Sequence, residues 1–216
     1  MPKLFVMVGM GEGVALAVSR RFAQAGFTIA MIARNEAKLQ DFKNTLEAEG
    51  YRAYSFVADA GDEDSLRAAI AALQAQLGSP EVLVYNVAVS SLNPVLSETV
   101  ERLTSDFKAN VVGALIATQA VLPAMKAQAG GTILFTGGGF SMYPSPDFAS
   151  LSIGKAGIRS LAKMLAEALK PEGIRVGTVT ICGIVNPSDP KYNPDSIAEN
   201  YWNFYAKPES DAEIVY

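Results

Sequence analysis

Apolar runs of strand length alternate with helical periods along this chain, and that alternation leaves few folds open to it. LFVMV (4–8), TIAMIA (28–33), YSFVA (54–58), VLVY (82–85), TILFT (132–136) and VGTVTI (176–181) are rich in β-branched and aromatic residues and mostly lack polar alternation. Strands buried on both faces read this way. Between them lie helical periods: Leu39, Phe42 and Leu46 before Gly50; Leu66, Ile70, Leu73 and Leu77 before Gly78; Ile158, Leu161, Leu165 and Leu169 before Pro171. A glycine just past the last apolar position suits a helix C-terminus, because it takes positive φ without strain. Strand–helix alternation repeated six times requires right-handed crossovers. It predicts an α/β fold with a doubly wound parallel sheet between two helical layers. No repeat, low-complexity tract or linker interrupts the pattern, so residues 1–216 are expected to form one domain with a sizeable core. NPSDPKYNP (186–194) reads as a surface loop before a short helix near 195–205, and EIVY (213–216) as a last strand at the sheet edge.

Composition removes several chemistries. The net charge of −4 gives no electrostatic case for nucleic acid or an anionic membrane. The one cysteine, Cys182, excludes an internal disulfide and fits a reducing compartment. MPKLFVMVGMGEG lacks the apolar segment and cleavage site of a signal peptide, and no apolar run approaches the roughly 18 residues of a membrane span. The cytoplasm is therefore the expected location. There are no histidines, which excludes a Ser-His-Asp triad and a His-ligated zinc; a single cysteine cannot build a thiolate site, so no metal is expected. Proton transfer must use tyrosine, lysine, serine, a carboxylate or a water held by them.

The first strand runs into GMGEGVALAVSRRFAQAG (9–26). Three glycines in five residues, Gly9, Gly11 and Gly13, let the backbone turn sharply onto a helix whose N-terminal N–H groups face an anion. With Glu12 and Val14 they form the candidate pyrophosphate cradle. Dinucleotide sites that take NAD place an acid at the end of the second strand. Here AMIARN carries Arg34 instead, and a guanidinium there pairs with a 2′-phosphate, which favours NADP(H) over NAD(H).

With those residues placed, the chain resembles the short-chain dehydrogenases/reductases over nearly its whole length. Asp59 and Ala60 in VADAGD stand where that family contacts adenine. YNVA (85–88) stands for its N-N-A-G, with Asn86, Val87 and Ala88 at the cofactor. FKANVVG carries Asn110 at the active-site asparagine. LPAM, GGTILFT and LAEALKPEGIRVGTVTICG follow in order, and Gly183 and Val185 in CGIVNP fall in the segment that meets the carboxamide. The resemblance implies a Rossmann fold and hydride transfer between a nicotinamide cofactor and a carbonyl or alcohol carbon. It also implies a homodimer or homotetramer built on two helices. Here those are the apolar one around 104–127 and the one over 150–170, whose Ala156, Gly157, Ala162 and Ala166 permit close approach.

The family's reacting centre uses a tyrosine as proton shuttle, a lysine four residues later that lowers its pKa, and a serine on the preceding strand. Lysine also grips the nicotinamide ribose, and asparagine fixes a water. In this chain Lys155 and Asn110 remain, but the tyrosine position in ASLSIGKAGI is Leu151 and the serine position in TGGGF is Gly138. A further departure puts Pro187 where the family's carboxamide-binding threonine stands, followed by Ser188. Tyr143, in the loop FSMYPSPDF, is the candidate replacement donor. Ser150 and Ser152 flank Leu151 but lie off the helix face of Lys155, and Ser141 has no assigned place. The loop Asn186–Pro194, where the family carries its substrate lid, is short and stiffened by Pro187, Pro190 and Pro194. Two readings follow: an NADP(H)-dependent oxidoreductase with an altered proton route, and a non-catalytic NADP(H)-binding sensor or assembly protein.

Overall fold

The computed structural model describes residues 3–90 and 92–216. Seven parallel strands form one sheet in the order β3-β2-β1-β4-β5-β6-β7. They are β1 (Leu4–Val8), β2 (Thr28–Ala33), β3 (Ala53–Val57), β4 (Val82–Tyr85), β5 (Gly131–Gly138), β6 (Ile174–Ile181) and β7 (Glu213–Val215). The helices are α1 (Val14–Gln24), α2 (Glu36–Ala48), α3 (Glu63–Leu77), α4 (Val100–Phe107), α5 (Gly113–Ala127), α6 (Ala149–Leu169) and α7 (Pro194–Ala206). The expected doubly wound sheet is present, and the apolar runs mark its strands because both faces are covered.

Alternate residues of β1 divide the core. Leu4, Val6 and Val8 pack with residues of α3, α5 and α6, such as Leu73, Val121 and Ile158. Phe5 and Met7 pack on the other face with residues of α1, α2 and α7, such as Phe22, Leu39 and Phe204. There Phe22 stacks on Phe5 at 4.5 Å and meets Trp202 edge-on at 5.4 Å, which fixes α7 against α1.

The strand order turns at β1, whose neighbours are β2 and β4. Crossovers leave in opposite directions there, so a crevice opens beyond the strands' C-terminal ends; in open parallel sheets that is where ligands bind.

Two expectations are corrected. The helix expected over 104–127 begins at Val100 and is not uniform: a π-helical turn, Lys108–Val112, joins α4 to α5. That continuous helix, Val100–Ala127, is also long and apolar enough by composition to cross a bilayer, contrary to the run-length reading of the sequence. Its Ala114, Ala117, Val121 and Met125 are buried against the sheet, which is how a core helix acquires such a composition.

Candidate active site

Two cavities lie along the crevice and meet at Ala88. The first, of about 420 Å³, is bounded by Gly9, Arg34, Asp59, Ala60, Asn86 and Val87 among others. The second, of about 640 Å³, is bounded by Gly138, Tyr143, Leu151, Lys155, Gly183 and Val185 among others. The expected cofactor and reaction residues thus fall largely into two adjoining compartments.

The first compartment is built by close approach of β1 and β4. Gly9 takes φ +87°, and a Cβ there would stand 2.7 Å from the Val87 nitrogen, so only glycine fits. Asn86 Nδ2 donates to the Gly9 carbonyl at 3.2 Å and ties the strand end to the turn. The rest of the glycine turn borders smaller cavities, one of which shares Met10, Ala33 and Asn35 with the first compartment. Gly11 and Glu12 face a small cavity beside Lys38 at the start of α2. Gly13, at φ +72°, faces Pro187 and Asn193 of the lid loop, and Val14 packs against the core.

The N-terminus of α1, like those of α5 and α6, has no side-chain cap and no acid in its first turn, whereas α2, α3, α4 and α7 are capped by Asn35, Asp62, Thr99 and Asn193. Uncapped N–H groups next to positive-φ glycines are the arrangement that receives a phosphate. Arg34 is exposed at the cleft edge. Asp59 also lines the cleft, but one of its carboxylate oxygens accepts from the Gly61 N–H at 2.8 Å.

In the second compartment Lys155 is 9% exposed and its ammonium donates to the Thr136 carbonyl at 2.7 Å. Burial without a carboxylate partner pushes its pKa down to about 8. Leu151, one turn earlier on α6, lines the same space. A Cβ on Gly138 would lie 3.5 Å from the Lys155 methylenes, in ordinary contact. Tyr143 stands at the mouth, 77% exposed.

The lysine carries a stability signature. Unfolded, it keeps its proton up to its ordinary value of 10.5; folded, it releases it near 8. Between those limits the unfolded state binds more protons, so this contribution to stability grows with rising pH, is complete above 10.5 and is gone below 8. Lys155→Met is expected to flatten that rise, measured as urea midpoints of variant and wild type across pH 8 to 10.5.

Asn110 is tied to the loop after β4. It sits in the π-helical turn, buried, and its Oδ1 accepts from the Val89 N–H at 2.7 Å. Its Nδ2 also points to the Val89 carbonyl at 3.5 Å, so the side chain holds the loop after β4. Ser150 Oγ donates to buried Asp106 at 2.6 Å, and Ser152 Oγ accepts from the Ser145 N–H at 3.1 Å, so neither stands in for a tyrosine. Ser141 ends the helical turn Gly139–Ser141. The loop 186–194 packs back on the segment after β6 through Tyr192. Tyr192 covers Gly183 so closely that a Cβ there would stand 2.3 Å from its ring, and Asp189 Oδ1 accepts from the Lys191 and Tyr192 N–H groups.

Sequence reading missed Thr136 and Tyr201. Thr136 Oγ1 donates to Asn86 Oδ1 at 2.7 Å. Its one proton is then committed, so fully buried Tyr201 donates to Thr136 at 2.7 Å. Through its carbonyl and hydroxyl, Thr136 holds both Lys155 and Asn86. Thr136→Val keeps the shape and strands the buried Tyr201 hydroxyl and the half-buried Asn86 amide oxygen. Its expected cost is about 1–3 kcal/mol in urea unfolding.

A model of the short chain dehydrogenase family matches residues 3–195. The chain belongs to that family. Members are oxidoreductases that bind NAD or NADP. Among relatives of this chain, a short chain dehydrogenase from Pseudocercospora fijiensis is 29% identical over 175 residues, 80% of this chain and 56% of that protein. Dehydrogenase/reductase SDR family member 4 of Homo sapiens is 27% identical, over 81% of this chain and 63% of the human protein. The chain thus spans less than two thirds of those two relatives. A probable galactose dehydrogenase of Rhizobium meliloti is 30% identical over 81% of this chain and 68% of that protein. A short-chain dehydrogenase structure from Rhodopseudomonas palustris superposes with a TM-score of 0.86 at 27% identity, covering 98% of this chain and 96% of that one. A metagenomic short-chain oxidoreductase in complex with NADP superposes at 0.88 and 22% identity, covering 99% and 96%, and shares the fold.

Proposed function

We propose that this short-chain dehydrogenase binds NADP(H) along the crevice and transfers hydride between its nicotinamide and a carbonyl or alcohol carbon held in the second cavity. The observation that carries this reading is the meeting of the two cavities at Ala88, with Arg34 at the far end of one and Lys155 lining the other. A dinucleotide laid across them brings its phosphates past Gly9 and the uncapped start of α1. Lys155 is then placed to hold the nicotinamide ribose, and Asn86 to hold the turn beneath the cofactor. The cofactor supplies the hydride; the protein supplies position, exclusion of water and a proton.

The second reading, an NADP(H)-binding protein without turnover, is favoured by one feature: Leu151 and Gly138 bring no hydroxyl to the reacting centre. Calorimetric titration with NADPH tests what both readings share. Consumption of NADPH in the presence of carbonyl compounds separates them: steady consumption upholds the first, and tight binding without consumption upholds the second.

The protein is further proposed to act in the cytoplasm as a homodimer or homotetramer through α4–α5 and α6, with no nucleic acid or membrane partner. Phe107, Val112, Ile153 and Met164 are exposed apolar residues on these helices. Two of the small residues have an internal use instead: Gly157 accommodates Val111, since a Cβ would stand 2.8 Å from it, and Ala162 is buried. Light scattering at micromolar concentration is expected to give a multiple of the monomer mass, and a monomer overturns this proposal.

A further inference from the structure

We propose that the second cavity takes an apolar carbonyl compound, a ketone or aldehyde with a hydrocarbon body and one acceptor oxygen, and rejects polyols and sugar acids. The inference rests on the proposed reading for where the cofactor lies, and on the cavity's own chemistry for the substrate class.

Its inner wall offers almost nothing to a hydroxyl. Phe140, Leu151 and Ile181 supply hydrocarbon, Ile184 and Val185 add more at exposed positions, and three consecutive glycines, Gly137 to Gly139, form a floor without side chains. Part of that floor's backbone is already engaged. Gly137 and Gly138 pair with Thr180 and Ile181 of β6, and the Gly139 carbonyl accepts from the Met142 and Tyr143 N–H groups at 2.9 Å each. Ser90, Tyr143 and Cys182 also line the cavity, but all three lie at exposed positions towards its mouth. The remaining polar side chain is Lys155, buried, with one N–H given to Thr136 and no carboxylate beside it.

One cation in an apolar recess suits a ligand with one oxygen. A polyol would bury several hydroxyls against hydrocarbon, and each would lose its water without finding a partner. Leu151 and Gly138 acquire a second meaning here. Each leaves a position without a hydroxyl, and both changes make the wall more apolar in the same place. They are specificity-determining positions, Leu151 by contact with the hydrocarbon body and Gly138 by the space it leaves over the Lys155 side chain.

Binding can be read without turnover. Wild-type protein is titrated calorimetrically, with and without saturating NADP+, using acetophenone and cyclohexyl methyl ketone against sorbitol and gluconate. The ketones are expected to bind at least tenfold more tightly. Leu151→Gln is expected to weaken the ketones at least fivefold while NADP+ affinity stays unchanged. Ile184→Asn, at a position 87% exposed and so neutral to folding, should weaken them in the same direction. Equal or tighter binding of sorbitol or gluconate overturns the inference, as does absence of ketone binding or indifference to both substitutions. Loss of the cofactor reading would look different: NADP+ would fail to bind while the ketones still bound the free protein.

Discussion

Gly138→Ser together with Leu151→Tyr is expected to raise NADPH-dependent reduction of simple ketones by at least a hundredfold over the wild type. Positioned general acid–base catalysis contributes about 10²–10⁴-fold, and the wild-type centre has no hydroxyl at either position. The geometry is favourable on both counts. Residue 151 lies one helical turn before Lys155 on α6, so a phenol there shares its face with the ammonium. A phenol's ordinary pKa near 10 falls beside a positive charge. At residue 138 a Cβ meets nothing closer than the Lys155 methylenes at 3.5 Å, so a serine enters without displacing backbone. Lys155 itself stays held by the Thr136 carbonyl. If the wild type already turns over briskly, a donor is present and Tyr143→Phe is the first substitution to examine. A fall in rate with unchanged cofactor affinity assigns the proton to Tyr143. Unchanged turnover in that variant leaves a water beside Lys155.

The sheet was legible because its strands are buried on both faces, so their sequences are unbroken apolar runs whose limits coincide with β1, β2 and β4. β5 extends beyond TILFT through Gly137 and Gly138, which pair with β6; glycine carries no side chain by which a strand could be recognised. The π-helical turn at 108–112 left no trace in the periodicity, since VVGALIATQAVL is apolar on most sides and a shift in phase does not show there. Within the site, residues fixed by local backbone needs were readable: Gly9 by its positive φ, Lys155 by its register on α6. Thr136 and Tyr201 were not, because their pairing spans 65 residues and depends on how α7 packs against the sheet. That Asn110 anchors the loop after β4 was not legible either, because the shape of that loop is set by tertiary contacts.

Arg34→Asp is expected to abolish or reverse a preference of at least tenfold for NADPH over NADH in calorimetric titration. Arg34 follows the last residue of β2, at the edge of the first cavity and on the far side of it from Lys155. A guanidinium there meets a 2′-phosphate with two parallel donors and opposite charge. Charge-assisted hydrogen bonds contribute about 1.5–3 kcal/mol, and tenfold in affinity corresponds to about 1.4 kcal/mol. The lower end is appropriate because Arg34 is exposed, where water and salt weaken the pair. The preference should therefore shrink as ionic strength rises, which a purely steric preference would not do. Aspartate in its place repels the phosphate and accepts from the ribose hydroxyls, so NADPH should weaken while NADH holds or gains. Lys38, one turn into α2 beside Gly11 and Glu12, is a second cation close to this end of the cleft. Arg34→Ala therefore retains part of the preference if Lys38 also reaches the phosphate and loses all of it if Arg34 acts alone. Equal affinities for the two cofactors in the wild type would remove the 2′-phosphate reading altogether.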